Sequence, residues 1–404
     1  MRFRERWFGG HAPLLAACMM AMLSGCPGGG DGESEDVSSA EDAAAEIAVA
    51  RTYAGFSTEG GTWAFQLDSE KMSLTFRKGI DAPMTRHFDM EDKAPLRFFL
   101  RAKDLGEEFF GWEKPMRFLL HAFPLGTGKP SVFAAIGETA PADPALVAGT
   151  YLWVEMAAEG ESGAPSFPGW GILALRSEGT WSRWDVSKET PGEGAGPVLP
   201  DNYSGGWPPS APPDSGGTWA QVQGGGQITL SGGKSPLTGR VWTEEDTALL
   251  LLETEGGMIA GTRAPETAYG NADVVKSAPG ETDGMHAIIG AWKGGVRWVG
   301  RGVLPGSQER GFLFYRIPGV VEVQDYLVSQ VRCGALPSAF SVKFENGAFM
   351  DPPGNWTGYV FAAGSLASVW MIGDPEEGIL GAAVGLRQDT ADIEGYLCDG
   401  QLCR

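Results

Sequence analysis

The sequence predicts an all-β protein built from three repeated antiparallel modules. Glycine supplies 60 of the 404 residues, roughly twice its usual share, together with 27 prolines and 14 tryptophans. Short runs of alternating apolar and polar residues recur along the chain between Gly, Pro, Ser and acidic residues, which is typical of short strands joined by tight turns. A short segment also recurs at constant spacing, which indicates tandem modules.

The recurring segment carries a glycine at positions 137, 261 and 385, so both intervals are 124 residues. The flanking residues are similar in each copy: Phe133-Ala-Ala-Ile before Gly137, Met258-Ile-Ala before Gly261, and Gly381-Ala-Ala-Val before Gly385. We interpret each copy as the strand that closes one module. The predicted modules therefore cover residues 51–147, 148–272 and 273–404, of which the first is the most divergent.

The first 26 residues have the layout of a secretory signal peptide. Three arginines precede an apolar run at 13–23, which is too short to cross a bilayer because a spanning helix needs about 20 apolar residues. The run ends in Leu23-Ser24-Gly25-Cys26, which resembles the lipobox of bacterial lipoproteins. The alternative is an ordinary signal peptide, residues 1–25, in which Cys26 has no such role.

The resemblance implies cleavage before Cys26 and attachment of a diacylglycerol to its thiol, with further acyl chains such as palmitate on the new amino group. Two or more chains anchor a protein stably where one does not. In Gram-negative lipoproteins an Asp after the cysteine usually means retention at the inner membrane. Here Pro27 follows, so the resemblance favours the outer membrane.

An acidic, glycine-rich stretch at 26–50 separates this cysteine from the first module. It has too few apolar residues to order itself, so we expect a flexible tether, with one short helix at 39–50. Cleavage removes three Arg and one Glu, which takes the net charge from −20 to −22. Such a surface repels nucleic acid and anionic headgroups, and we expect no nucleic-acid partner.

The second module divides into eight candidate strands, which is the clearest pattern in the chain. A Pro- and Gly-rich loop at 193–215 separates the third strand from the fourth, and loops of this length are often functional. The predicted strands are 149–156, 170–176, 179–186, 217–222, 226–230, 237–242, 247–253 and 257–263.

The other two modules show the same pattern of short strands less clearly. In the third module, residues 324–332 before Gly334 are predicted to form a short helix. The remaining segments are predicted strands: 283–289, 296–304, 311–317, 340–344, 355–361 and 367–372 in the third module, and 62–67, 72–76, 96–100, 116–121 and 132–136 in the first.

About eight antiparallel strands per module, opening on Gly-x-Trp or Gly-x-Tyr, resemble lipocalin-like barrels. Closure of such a barrel removes the sheet edges and leaves room for core side chains or one small ligand. Asn355-Trp-Thr-Gly-Tyr also resembles surface lipoproteins of the transferrin-receptor type, which contain eight-stranded barrels.

Three late strands are apolar on both faces: 248–252, 312–315 and 369–372. Strands of this kind are covered on both sides. Either the barrels pack on one another, or each module is two four-stranded blades of a β-propeller, which is the alternative fold.

Catalytic and metal-binding motifs are missing from the sequence. Gly233-Lys-Ser lacks the first glycine of a phosphate-binding loop, because position 228 is Ile. The carboxylate pairs at 107–108, 244–246 and 376–377 are neighbours along turns, whereas acid–base catalysis needs carboxylates that face each other. We therefore predict no catalytic residue, metal or cofactor, and no enzyme.

Tryptophan is the residue type that suggests a binding surface. Most indole rings are expected in the cores, because they bury a large apolar area. Trp181, Trp184 and Trp207 flank or lie in the Pro- and Gly-rich loop, and we predict that they line an apolar or saccharide-binding surface. If single Ala substitutions unfold the protein, these residues belong to the core instead.

Three cysteines remain in the mature chain besides Cys26, namely Cys333, Cys398 and Cys403. An exported protein lies in an oxidising compartment, so one disulfide among them is expected. A Cys398–Cys403 bridge would close a C-terminal loop, and a bridge from Cys333 to either would hold the tail on the last module.

The leading hypothesis is a lipid-anchored, non-enzymatic envelope protein that binds a small apolar or saccharide ligand or a protein partner. The alternative is a structural or assembly component of the envelope, and a glycan hydrolase is a third reading. An enclosed apolar cavity would favour the small-ligand binder, whereas filled cores with exposed apolar faces would favour the structural role.

Overall fold

The computed structural model describes one compact unit that lies within Glu46–Arg404. The described residues are 50–90, 100–102, 110–114, 116–125, 129–157, 169–188, 209–222, 225–233, 235–244, 247–263, 284–292, 296–304, 311–317, 324–332, 338–344, 355–363, 367–374, 378–388, 397–398 and 401–402. Cys26, the predicted signal peptide, the tether and its helix lie outside them. Among these residues no helix has the length and apolar character needed to cross a membrane.

The first eight strands form one antiparallel sheet, here called the N-terminal sheet. Its order is β5-β4-β3-β2-β1-β8-β7-β6, the cyclic order of an up-and-down barrel with β5 and β6 at the two edges. The strands are β1 (Arg51–Ser57), β2 (Thr62–Asp68), β3 (Ser73–Lys78), β4 (Met84–Met90), β5 (Leu100–Ala102), β6 (Phe110–Lys114), β7 (Phe118–Leu125) and β8 (Lys129–Gly137).

A short helix, α1 (Pro144–Val147), leads into a closed eight-stranded barrel, here called the middle barrel. Asp143 caps the helix by accepting a hydrogen bond from the Ala145 N–H. The strands are β9 (Gly149–Ala157), β10 (Gly169–Leu175), β11 (Thr180–Trp184), β12 (Ser215–Gln221), β13 (Gln227–Ser231), β14 (Leu237–Glu244), β15 (Thr247–Thr254) and β16 (Gly257–Arg263).

The middle barrel confirms the eight strands predicted for the second module. Strand β16 pairs with β9 along its whole length, from Gly257↔Ala157 to Arg263↔Tyr151. The eight strands therefore form one continuous ring rather than two four-stranded blades, and the propeller alternative is wrong.

The next eight strands form a second closed barrel, the third barrel, and a two-stranded hairpin follows it. The strands of the barrel are β17 (Gly284–Trp292), β18 (Val296–Leu304), β19 (Gly311–Ile317), β20 (Gln324–Arg332), β21 (Ser338–Phe344), β22 (Asn355–Ala363), β23 (Ala367–Asp374) and β24 (Gly378–Gln388). The hairpin consists of β25 (Leu397–Cys398) and β26 (Gln401–Leu402).

The helix predicted at 324–332 is wrong, because these residues form strand β20. A bulge between Val328 and Gln330 inserts one residue into its pairing with β21. Because the bulge adds one residue to the strand, the apolar residues Val328 and Val331 are three positions apart in the sequence rather than two. A spacing of three is also that of one face of a helix, which accounts for the incorrect prediction. The barrel also needs this strand between β19 and β21 to close, and sheet pairing prevails over local pattern.

The repeated glycines lie at equivalent places in the three modules. Gly137 in β8 pairs with Tyr53, Gly261 in β16 with Trp153, and Gly385 in β24 with Ile288. Each is in the last strand of its module, paired with the first strand. This confirms that the repeated segment is the last strand of each module; it completes a closed ring in the second and third modules, whereas the N-terminal sheet has edges at β5 and β6.

Strand β15 is apolar on both faces because it has a core on each side. Leu250 and Leu252 belong to the cluster that fills the middle barrel. Leu249 and Leu251 belong to a second cluster, which also contains Phe118 of the N-terminal sheet and Val369 and Met371 of the third barrel. The barrels therefore pack on one another, which is the first of the two expected explanations.

Polar and aromatic contacts also join the N-terminal sheet to the middle barrel. The Phe118 and Trp242 rings are stacked, with centroids 6.2 Å apart. The Arg117 guanidinium contacts the Glu244 carboxylate at 2.6 Å. Glu244, one of the clustered carboxylates noted in the sequence, thus takes part in an inter-module ion pair.

The predicted disulfide stays a prediction. Cys398 is in β25, where it pairs with Gln401 of β26. Cys333 and Cys403 lie outside the described residues.

Candidate functional site

Two of the three tryptophans predicted to bind a ligand are buried. Trp181 is 3% exposed inside the middle barrel, where its Nε1 donates to the Ser231 carbonyl at 3.0 Å. Trp184 is 5% exposed on the outer face, and its Nε1 donates to the Ala211 carbonyl at 2.8 Å. Trp207 lies outside the described residues. The prediction that the three line an apolar or saccharide-binding surface stays a prediction.

The interior of the middle barrel is filled by its own side chains. These residues are buried in one cluster, so a ligand inside the barrel would have to displace them. The cluster contains Val147, Tyr151, Trp153, Leu173, Leu175, Trp181, Ile228, Leu230, Val241, Ala248, Leu250, Leu252 and Ile259.

One end of the middle barrel is closed by the segment around α1. Val147 is fully buried in the barrel cluster, and its carbonyl accepts a hydrogen bond from the Tyr151 hydroxyl at 2.7 Å. The Asp143 N–H donates to Thr243 Oγ1 at 2.8 Å, and Gln221 Nε2 donates to the Ala142 carbonyl at 3.1 Å. These bonds hold the segment across this end of the barrel.

The opposite end of the middle barrel carries a charged pair above an indole ring. The Arg183 guanidinium lies 4.2 Å from the centroid of the Trp153 ring, a cation–π contact, and donates to Glu155 Oε2 at 3.1 Å. Both charged side chains are partly exposed, at 18% and 27%. This end, here called the charged mouth, is therefore polar at the surface and apolar directly below.

The ends of the strands can be placed relative to the point where the chain enters the fold. Arg51, the first residue of β1, pairs with Leu67 near the end of β2. The chain thus enters β1 at the end of the sheet that holds the β2–β3 turn, here called the proximal end. The β1–β2 and β3–β4 turns lie at the other end of the same strands, here called the distal end.

The charged mouth of the middle barrel lies at the distal end as well. Thr62, the first residue of β2, donates from Oγ1 to Glu253 Oε2 at 3.0 Å. A Cβ placed on Gly60 would lie 3.1 Å from the Thr254 carbonyl oxygen, so the β1–β2 turn lies against the β15–β16 turn. Because Ile259 of β16 pairs with Glu155, the charged mouth is beside these turns.

A third feature of the distal end is the β3–β4 turn, which no motif in the sequence marks as a surface site. Its residue Ile80 is fully exposed, at 101%. The only signal in the sequence is an isoleucine in a turn that follows Arg77-Lys78-Gly79, where polar residues are the rule.

The N-terminal sheet contains a buried carboxylate, Glu113, which is 1% exposed. It accepts hydrogen bonds from Arg51 at 2.6 and 2.9 Å and a short one from the Tyr53 hydroxyl. Burial raises the pKa of Glu113, and the bonds from Arg51 and Tyr53 oppose that shift. A carboxylate paired in this way has no access to a substrate, so the arrangement is structural rather than catalytic.

Among the described residues, no group of three or more His, Cys, Asp and Glu side chains could hold a metal ion. The fold and these features define a class: an all-β protein of tandem eight-stranded modules with a filled barrel core.

No family model and no curated protein matches the chain. Solved structures give weak similarities. A variant of transferrin binding protein B from Haemophilus parasuis has a TM-score of 0.25 at 10% identity, covering 84% of this chain and 76% of that one. The same protein from serogroup B Neisseria meningitidis has a TM-score of 0.25 at 13% identity, covering 82% and 66%.

A protein of unknown function from Nostoc punctiforme has a TM-score of 0.19 at 9% identity, covering 60% of this chain and 96% of that one. Similarities of this size carry no conclusion on function. The barrel assignment rests on the hydrogen-bonded ladders of this chain.

Proposed function

We propose that this chain is a lipid-anchored envelope protein without enzymatic activity that holds a protein partner on its distal end. The lipobox resemblance at Cys26 supports the anchor, and Pro27 supports the outer membrane. No cofactor is part of the proposal.

The observation that carries the proposal is the filled interior of the middle barrel. Trp153, Trp181 and eleven other side chains occupy the volume in which a barrel of this size would hold a small ligand. A small apolar ligand inside this barrel is therefore disfavoured, which favours a binding site on the outer surface of the middle barrel. Protein partners are recognised on surfaces without a deep cavity, through a few exposed apolar and charged side chains.

The position of the tether supports the choice of the distal end. The chain enters β1 at the proximal end, beside Arg51, and 24 residues separate that position from Cys26. Residues 27–38 are Gly-rich and would span roughly 20 Å as a flexible coil, and a helix at 39–50 would add about 18 Å. An anchor at Cys26 would be attached through the proximal end, which favours the distal end as the site for a partner.

The structural alternative is an assembly component of the envelope whose modules meet several proteins. The shared core is compatible with it, because side chains of all three modules pack in one buried cluster. A glycan hydrolase is less well supported. Glu155 is paired with Arg183 and Glu113 with Arg51, so these two described carboxylates are engaged in ion pairs, whereas hydrolysis requires two carboxylates that face each other across a cleft.

Two measurements test the proposal. Metabolic labelling with a radioactive fatty acid is expected to label the wild-type chain and not Cys26→Ala, and membrane fractionation then assigns the inner or outer membrane. Absence of label from the wild type would contradict the anchor.

The second measurement is the native mass of the full lipidated chain after mild detergent extraction, with identification of its constituents by mass spectrometry. We expect a complex with a distinct protein. A particle that contains only a single chain and detergent, or only copies of this chain, would contradict the binding function.

A further inference from the structure

The side chain of Ile80 is exposed although the fold does not require an apolar residue there. The turn is closed by the Asp81 N–H, which donates to the Lys78 carbonyl at 2.9 Å, and Gly79 supplies the positive φ of +49°. The Gly79 N–H donates to the Thr62 carbonyl at 2.9 Å, which fixes the turn to β2. Ile80 contributes to none of these bonds, so a polar residue would satisfy the turn equally well.

The surroundings of Ile80 are basic, whereas the whole chain is strongly acidic. Residues 73–87 contain three basic residues, Arg77, Lys78 and Arg86, against one acidic residue, Asp81, in a chain of net charge −20. Arg77 is exposed, and Lys78 extends over the Trp63 ring with its Nζ 5.8 Å from the centroid. At physiological ionic strength a charge acts over about 8 Å, so an approaching molecule senses this local patch rather than the net charge.

A second apolar side chain lies next to the tip. Met84, the first residue of β4, pairs with Phe76 and is 37% exposed. Ile80 and Met84, four positions apart, are exposed large apolar side chains of this hairpin and are here called the knob, and the basic residues Arg77 and Lys78 precede them in the chain. This combination fits an apolar pocket that is rimmed by carboxylates.

The position of the knob argues against a lipid surface as its target. It lies at the distal end, whereas the tether enters at the proximal end beside Arg51. The strands between the two ends have six or seven residues, about 20 Å at 3.3 Å per residue. If Cys26 carries the proposed anchor, the knob thus lies at the end of the N-terminal sheet away from the point where the anchored segment joins β1.

We infer that the tip of the β3–β4 hairpin, Ile80 with Met84 and the flanking Arg77 and Lys78, docks into an apolar, carboxylate-rimmed pocket on a protein partner. The inference rests on the proposed function and adds to it the contact residues and the chemistry of the partner. The rest of this chain is acidic and repels acidic parts of the partner's surface outside the pocket. This repulsion helps to orient the partner.

The test uses the full lipidated chain in the cells that produce it. A photo-crosslinking benzoylphenylalanine replaces Ile80 and, in a control, Val222, an exposed apolar residue (51%) in the β12–β13 turn at the proximal end. We expect a light-dependent adduct with one other protein from position 80 and not from position 222. The adduct should fall about tenfold or more when Arg77→Glu and Lys78→Glu are combined with it.

Several outcomes would overturn the inference: an adduct with lipid, an adduct only with a second copy of this chain, equal yields from both positions, or no adduct from position 80. The native-mass measurement distinguishes a failure of the hairpin contact from a failure of the proposed binding function. If a partner protein is still found in the extracted complex while position 80 gives no adduct, the binding function stands and the hairpin is not the contact. If no partner is found, the binding function itself fails.

Discussion

Arg51 and Glu113 form a bidentate ion pair between strands that are three positions apart in the N-terminal sheet, with Nε–Oε1 at 2.6 Å and Nη2–Oε2 at 2.9 Å. In a flat sheet such strands would lie about 14 Å apart. The contact therefore requires the sheet to curl, and it ties the edge strand β6 back to β1. Tyr53 completes the arrangement by donating to Glu113 and accepting from the Met116 N–H at 3.0 Å.

Removal of one partner of this pair is expected to be strongly destabilising. Glu113→Ala leaves the buried Arg51 charge without its carboxylate, which costs about 3–5 kcal/mol in comparable cases. Urea unfolding followed by the fluorescence of the tryptophans measures the loss of unfolding free energy. The double variant Arg51→Met with Glu113→Leu should lose much less, because no buried charge is left unpaired. Equal losses in the single and double variants would show that packing, not charge, is responsible.

The buried hydroxyl of Tyr53 is expected to make the folded protein less stable at alkaline pH. Burial and the neighbouring Glu113 raise the pKa of Tyr53 above its ordinary value. The unfolded chain releases this proton near pH 10, whereas the folded chain retains it. The stabilising contribution is thus complete below about pH 10 and decreases as the pH rises further.

Unfolding in urea at pH 8 and at pH 11, for the wild type and Tyr53→Phe, measures this effect. The variant lacks the ionisable hydroxyl, so its stability should fall less between the two pH values. A parallel decrease in both proteins would assign the alkaline loss to other groups.

Gly171 is required by the indole of Trp153. A Cβ at position 171 would lie 2.0 Å from the Trp184 carbonyl oxygen and 2.6 Å from Trp153 Cζ2. Gly171→Ala is therefore expected to destabilise the middle barrel by about 1–3 kcal/mol, as overpacking does in other cores.

The matched control for this substitution is Gly225→Ala, whose added Cβ would meet only the Gln227 nitrogen at 4.0 Å. Thermal unfolding of both variants compares them directly. An unchanged melting temperature for Gly171→Ala would mean that the barrel accommodates the methyl group by a shift of β10.

Substitution of Trp181 distinguishes whether this residue belongs to the core or binds a ligand. Trp181→Ala removes a ring that is 3% exposed together with its hydrogen bond to Ser231, and we expect a loss of about 3–5 kcal/mol. Trp219, which is only half-buried and packs at the margin of the same cluster, is the control and should lose less when changed to Ala. If Trp181→Ala unfolds no more easily than the wild type, the ring is available for a ligand.

Local pattern in the sequence was sufficient to predict the strands of the middle barrel. The alternation of Ile228 and Leu230 with polar neighbours, and the glycines that bound each run, are properties of a few adjacent residues. Strand β20 was not predictable in this way, because its bulge is defined only by the register against β21. Strands β1, β4 and β6 were not predicted individually, since each lies in the divergent first module.

The candidate surface could not be read from the sequence for a related reason. Ile80 resembles any apolar residue near a strand end until its exposure is known. The pairing of Arg51 with Glu113 joins residues that are 62 positions apart, and no periodicity predicts a contact of that separation.

The sequence by itself determined the all-β class, the repeat of 124 residues and the lipobox resemblance at Cys26, because composition, spacing and short motifs are local properties. Only the tertiary structure decided that eight strands close into one ring, that side chains such as Trp181 fill it, and that Ile80 is exposed at the end opposite to the tether. Closure, packing and orientation depend on contacts between residues far apart in the chain, and these contacts form only when the strands pair.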